Sequence, residues 1–290
     1  MSAYRALAPA KVNLGLFVGA RRDGDGRHEL VSVMQSISLA DELTLAPAHA
    51  GADQDEIVCP GVGAAPQENL ALRALRAFRA ATGWRGPPLR LIIRKRIPVA
   101  AGLGGGSADA AAALRLARLA SGRGDEALLL ELAARLGADV PAQVSPGRWL
   151  ATGAGERLER LPDPEPPLAL LLLGVGAALS TAEVYERADA LGPLRTPGEL
   201  ESLRCALRDA LAHGEPLPAR DELLANDLQP AAISLCPPIA DALSQLERRG
   251  AERAVVSGSG PTVMAPGGAS FEGAIACTSV DSSFARPRAL

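Results

Sequence analysis

The sequence predicts a globular chain of mixed α and β structure, of the α/β or the α+β class, in two domains. Segments of strand-like and helix-like hydrophobic period follow one another along the chain. Its 290 residues, 48% of them hydrophobic, are ample for one large core or two ordinary ones. Residues 162–167 hold four prolines in six positions, an extended connector that divides the chain into 1–161 and 162–290.

Each element has a local reason. Residues 8–18 alternate in part, placing Val12, Leu14, Leu16 and Val18 on one strand face and Lys11 with Asn13 on the other. That second face suits either a polar ligand or water. The Gly- and Asp-rich run 21–30 reads as a hairpin turn, with His28 in a loop just past it, where binding groups collect. Residues 31–39, 42–45 and 56–59 are strand candidates, and most of 47–68 reads as loop. Asn69 caps a helix that runs to about Thr82. Residues 89–94 form a branched apolar strand, and 108–119 an alanine-rich helix.

Asp125 caps a helix over 126–136 that stops at Gly137. Asp139 follows at once, either as a cap for the next turn or as a base or metal ligand facing a cleft. Residues 148–151 and 168–173 read as strands, and Ser180 or Thr181 caps the next helix. Helical patterns cover 197–213, 221–226 and 238–249. A strand at 252–256 turns through Ser257–Pro261 into a partner at 262–265. The tail, 278–290, is polar and irregular.

The stretch from Pro98 through Val99, Ala100, Ala101, Gly102, Leu103, Gly104, Gly105, Gly106 and Ser107 to Ala108 links strand 89–94 to the alanine-rich helix. Four glycines in five positions let backbone N–H groups approach a ligand, and the helix start favours an anion, most simply phosphate. Lys95 stands ready to supply a point charge. The run lacks the lysine of a Walker loop. It matches a dinucleotide fingerprint only loosely, because no strand leads to Asp125. A ligand-free strand-to-helix turn is the remaining reading.

A net charge of −3 argues against a nucleic-acid or membrane-surface binder with a broad basic face. No signal peptide is visible, and the longest apolar run, 166–173, is too short to span a bilayer, so a cytoplasmic chain is expected. Cys59, Cys205, Cys236 and Cys277 are widely spaced and read as buried thiols without a metal.

Three motifs, in order and spacing, resemble the GHMP kinases: Pro9-Ala10-Lys11-Val12-Asn13, Pro98 through Ala111, and Val256-Ser257-Gly258-Ser259-Gly260-Pro261. The Arg21-Arg22-Asp23-Gly24 and His28-Glu29-Leu30 pattern, the run 136–141, the run 180–185 and Asn226-Asp227-Leu228 narrow the resemblance further. They point to the branch that phosphorylates the 2-hydroxyl of 4-diphosphocytidyl-2-C-methyl-D-erythritol in non-mevalonate isoprenoid synthesis.

The resemblance implies a ribosomal-protein-S5-like N-terminal domain, a ferredoxin-like α+β C-terminal domain and a substrate between them. ATP would lie on 98–108 and near Lys95, with Mg²⁺ bridging its phosphates. Asp139 matches the base and Lys11 its partner, which keeps the carboxylate ionised. Asn13, His28, Thr181 and Tyr185 match positions that hold the cytidine diphosphate substrate. Arg27 stands where the family usually has tyrosine, and Ala142 where phenylalanine is common. A guanidinium can replace the ring by stacking on a base. No nucleic-acid or membrane partner is implied, and the chain is expected to be a monomer or weak homodimer. The alternatives are a homoserine or mevalonate acceptor, ATP-dependent decarboxylation, or a non-catalytic ATP-binding member.

Overall fold

The computed structural model describes residues 2–61, 68–217 and 221–290. Part of the loop expected over 47–68 therefore lies outside the described residues. The architecture is α+β, built on two sheets.

A long hairpin founds the first sheet: β1 (Tyr4–Arg21) against β2 (His28–Pro47). The two strand candidates at 31–39 and 42–45 are one strand, since no breaker separates them, and His28 begins it rather than sitting in a loop. Register shifts in β1 between Pro9 and Lys11, Asn13 and Gly15, and Val18 and Arg21 bend the ribbon. The bend lets the two halves of β2 pair with different strands. Residues 42–47 meet β4 (Leu89–Arg94), and residues 30–35 meet β5 (Arg148–Gly153). The short β3 (Glu56–Val58) runs parallel to β4, and β6 (Arg157–Arg160) pairs with β5.

Helices α1 (Leu70–Thr82), α2 (Gly105–Ser121) and α3 (Glu126–Leu136) cover one side of this sheet, packing with Leu43, Leu45, Leu89, Leu91 and Ile93. Small Ala110 to Ala113 are fully buried, which lets α2 lie close to its neighbours. Asn69 and Asp125 cap α1 and α3 as expected, accepting from Ala71 N at 3.0 Å and Leu128 N at 2.9 Å. Helix α2 starts earlier than its alanine run, because the last two loop glycines form its first turn. The short α4 (Val140–Val144) follows Asp139.

The second sheet contains β7 (Ala169–Leu173), β8 (Val255–Val256), β9 (Val263–Pro266) and β10 (Ile275–Thr278). Its spatial order is β10-β7-β9-β8 with antiparallel pairing throughout, the arrangement of a split βαβ sheet. The link over 267–274 holds no helix. Helices α5 (Thr181–Leu191), α6 (Pro197–Ala210), α7 (Gln229–Leu235) and α8 (Pro238–Arg248) complete this half. Ser180 is the cap of α5, and Thr196 with Glu199 forms a capping box on α6.

Several expectations are corrected. The 221–226 helix is only a 3-10 turn over Asp221–Leu223, and α7 was not anticipated. The 252–256 strand shrinks to β8. The tail is not irregular: Val280 N donates to Ser36 O at 3.0 Å, and β11 (Arg288–Ala289) pairs with the start of β1. Backbone hydrogen bonding needs no apolar side chains, so composition did not reveal it. The halves also share a core, in which Leu14, Phe17 and Val33 of the first sheet pack with Leu170, Leu172 and Leu207.

Candidate active site

Lys11 and Asn13 leave β1 on one face, as their spacing predicts, yet water does not solvate that face. They are 8% and 5% exposed. Lys11 Nζ donates to Asn13 Oδ1 at 2.7 Å, Asn13 Nδ2 to Ser32 Oγ at 2.7 Å, and Ser32 Oγ to Gly15 O at 2.7 Å. This buried chain holds the ammonium in one place. Asp139 Oδ2 lies 3.5 Å from it. The Asp139 side chain makes no cap hydrogen bond to α4 and is 38% exposed, so of its two readings the cleft-facing one describes the geometry.

The glycine run passes beside this pair. Lys11 N donates to Leu103 O at 3.0 Å. Gly104, at φ 69°, caps α2, and a Cβ on it would lie 3.0 Å from Lys11 Cγ. Gly102, at φ 74°, is closed in more tightly: a Cβ there would stand 2.5 Å from Gly260 O and 3.0 Å from Ser257 O. The loop thus rests against the turn joining β8 to β9, which Asn226 secures by donating to Val256 O at 2.8 Å and Gly258 O at 2.7 Å.

Two cavities meet here. One, of about 340 Å³, is lined by residues 98–107 with Lys95 and Asp109. The other, of about 660 Å³, is lined by Lys11, Asn13, Asp139, His28, Thr181 and Tyr185 among others, Arg27 included. Gly102, Gly104 and Ser107 belong to both walls. A phosphate-sized anion on the helix start of α2 would therefore face a second molecule across the Lys11–Asp139 pair.

Comparison with known proteins agrees with this geometry. The family descriptions "GHMP kinases N terminal domain" and "GHMP kinases C terminal" match residues 69–147 and 205–270. A 4-diphosphocytidyl-2-C-methyl-D-erythritol kinase of Pelotomaculum thermopropionicum is 44% identical over 89% of this chain and 87% of its own length. The chain belongs to the GHMP kinases. A relative of the same name from Streptomyces coelicolor is also 44% identical, over 88% of this chain and 84% of its own. A crystal structure of 4-(cytidine 5'-diphospho)-2C-methyl-D-erythritol kinase superimposes with TM-score 0.73 at 34% identity, covering 95% of this chain and 98% of that one. A homoserine kinase from Cytophaga hutchinsonii, 16% identical with TM-score 0.70 over 100% and 98% of the two chains, shares the fold. GHMP kinases use ATP, so ATP is the phosphoryl donor.

In the larger cavity of this GHMP kinase, His28 is 6% exposed and its Nδ1 faces Gly19 O at 2.9 Å. A carbonyl only accepts, so Nδ1 carries a proton. Nε2 lies 3.5 Å from Asp189 Oδ1 with no hydrogen bond. The Tyr185 ring stands 5.0 Å from that of His28. Burial, then the Asp139 charge, pushes the Tyr185 phenol up to about 12. Thr181 Oγ1 is 2.9 Å from Ser259 Oγ, tying the start of α5 to the β8–β9 turn. Arg27 projects from the hairpin turn, where its Nε donates to Asp25 at 2.9 Å.

Lys95 of the GHMP kinase is not the free cation expected. Its Nζ contacts both Asp41 and Asp109, the latter at 2.8 Å. Burial opposes its charge, but the two carboxylates outweigh burial and raise its pKa. Burial pushes Asp109 up to about 7, against the pull of Lys95. Asp41 also accepts from Arg96 N and Ile97 N, pinning the strand end that leads into the glycine run. Ser32 and Asp41 went unmarked in the sequence because each stands alone there, whereas Asp109, Ser259 and Asn226 lie inside motifs that gave them no role of their own.

Proposed function

We propose that this kinase transfers the γ-phosphoryl group of ATP to the 2-hydroxyl of 4-diphosphocytidyl-2-C-methyl-D-erythritol, a step of non-mevalonate isoprenoid synthesis. The observation that carries the reading is the meeting of two cavities at Gly102, Gly104 and Ser107, with Lys11 and Asp139 beside the seam. The names of the relatives supply the acceptor.

Phosphoryl transfer asks the protein for alignment and charge neutralisation more than for covalent chemistry. The backbone N–H groups of 99–108 and the start of α2 hold the ATP phosphates. Asp139 accepts the proton of the acceptor hydroxyl, and Lys11 stabilises charge on the transferring group. Asn13 serves chiefly by fixing Lys11, since its amide already engages Lys11 and Ser32. His28 and Tyr185 offer ring surface to the cytosine, Arg27 a guanidinium at its edge, and Thr181 a hydroxyl to the diphosphate.

Mg²⁺, when bound with ATP, would supply charge neutralisation for the transfer. The Ser107 hydroxyl lines both cavities and is a hard oxygen donor that suits such an ion. Lys95 acts from within its carboxylate pair, anchoring the loop. Residues 1–161 form the ATP-binding part and 162–290 the part that closes over the acceptor, in a cytoplasmic enzyme that is a monomer or weak homodimer. Among the described residues no helix is long and apolar enough to cross a membrane.

Coupled detection of ADP with the cytidine diphosphate acceptor, homoserine and mevalonate tests the assignment. Turnover confined to the first acceptor is expected; turnover confined to either of the others overturns it.

A further inference from the structure

Arg115 is a buried charge that catalysis does not use. It lies in the middle of α2, 9% exposed. Its guanidinium donates to three backbone carbonyls: Leu7 O at 2.9 Å, Gln143 O, and Val144 O at 3.4 Å. No carboxylate among the described residues pairs with it, and its Nε has no partner. Burial lowers its pKa to about 10. A desolvated cation that meets only carbonyl dipoles is costly, and a nearby anion would relieve that cost.

The surroundings are built for one. Arg115 lines a cavity of about 610 Å³ between α2, the start of α3 and the returning tail. Arg118 and Arg286 line it too, both exposed, and neither forms an ion pair among the described residues. Glu126 is the one carboxylate in the lining, against three guanidinium groups. The lining also offers apolar surface in Leu129, Val144 and Leu119, the last on the same helix as Arg115 and Arg118 and 41% exposed. None of these residues lines the donor or acceptor cavity. Arg286 comes from the tail that folds back onto the first sheet, so only the complete fold assembles the site.

We propose that this cavity is a second ligand site, which takes a small organic phosphate: the phosphate between Arg118 and Arg286, within the field of Arg115, and an apolar body on Leu119. Guanidinium groups favour phosphate through paired N–H donors, and the leucine wall selects an ester over the bare ion.

The test is thermal unfolding of the full chain without nucleotide, since ADP and CDP are themselves organic phosphates, and the double variant below separates this cavity from the two catalytic ones. The probes are butyl phosphate and inorganic phosphate, each against sodium chloride of matched ionic strength. A rise of about 2–4 °C is expected for butyl phosphate near tenfold excess over its Kd, and a smaller one for inorganic phosphate. The double variant Arg118→Ala/Arg286→Ala should lose the rise and keep wild-type turnover, since both side chains are exposed and remote from the reacting groups. Asp139→Asn should keep the rise. An equal rise for both probes, no rise above the chloride control, or an undiminished rise in the double variant overturns the proposal. The deciding readout is stability, so the outcome does not depend on which acceptor the kinase uses.

Discussion

Gly104 leaves room for Lys11: a Cβ on the glycine would come within 3.0 Å of Lys11 Cγ, at a backbone φ of 69°. The glycine run and the Lys11 side chain are therefore fitted to each other, although they lie in separate segments of the sequence. Gly104→Ala must both strain the left-handed backbone, by about 1–2 kcal/mol, and press on the lysine stem. Turnover should fall by roughly tenfold, equivalent to about 1.4 kcal/mol of barrier, with the larger loss in kcat. Steady-state kinetics with varied ATP checks this, and unchanged kcat would separate the loop from the placement of Lys11.

Asp139→Asn keeps the shape of the site and removes the carboxylate proposed as proton acceptor. Turnover should drop by at least ~10²-fold, the scale of general-base catalysis, while calorimetric ADP affinity is retained. Near-normal turnover would remove Asp139 from the role of base.

Asn13→Ala breaks the chain from Lys11 through Asn13 to Ser32. It leaves a buried ammonium and a buried hydroxyl short of a partner, at a cost of about 1–3 kcal/mol. The urea midpoint should fall accordingly. Because Lys11 loses its anchor, kcat should fall as well. A stable variant with full activity would show that Lys11 is held from elsewhere.

Asp109 makes stability depend on pH. Burial raises its pKa to about 7 in the folded chain, above the roughly 3.9 of an unfolded aspartate. Between those values the folded state binds more protons, so the contribution is fully present below the unfolded value and is lost as pH rises through about 7. Asp109→Asn lacks this contribution, so the stability gap between wild type and variant should move against the wild type from about pH 5 to about pH 8. Urea titrations at several pH values check it; a gap independent of pH would contradict the raised value.

Asn226→Ala frees the β8–β9 turn by removing both donations, to Val256 O and Gly258 O. With Gly102 resting on that turn, donor and acceptor sides should suffer together. KM for ATP and for the acceptor should both rise, with stability lower by about 2 kcal/mol. A change confined to one substrate would argue against the contact between loop and turn.

Local chemistry made much of this molecule legible in its sequence. Asn69 and Asp125 cap helices because a side-chain oxygen satisfies an N–H a few residues away, an interaction that needs nothing distant. The glycine run was legible as a turn from strand to helix for the same reason, and alternation along β1 put Lys11 and Asn13 on one face. Long-range contact decided the rest. Lys95 was legible as a cation but not as one clasped by Asp41 and Asp109, and Asp139 stood open between cap and cleft until its neighbours were known. The polar tail gave no periodic signal, yet its backbone joins the first sheet and carries Arg286 to the buried charge of Arg115. Propensity and capping act over a few residues, whereas partners, burial and charge balance depend on which distant segments the packed core brings together.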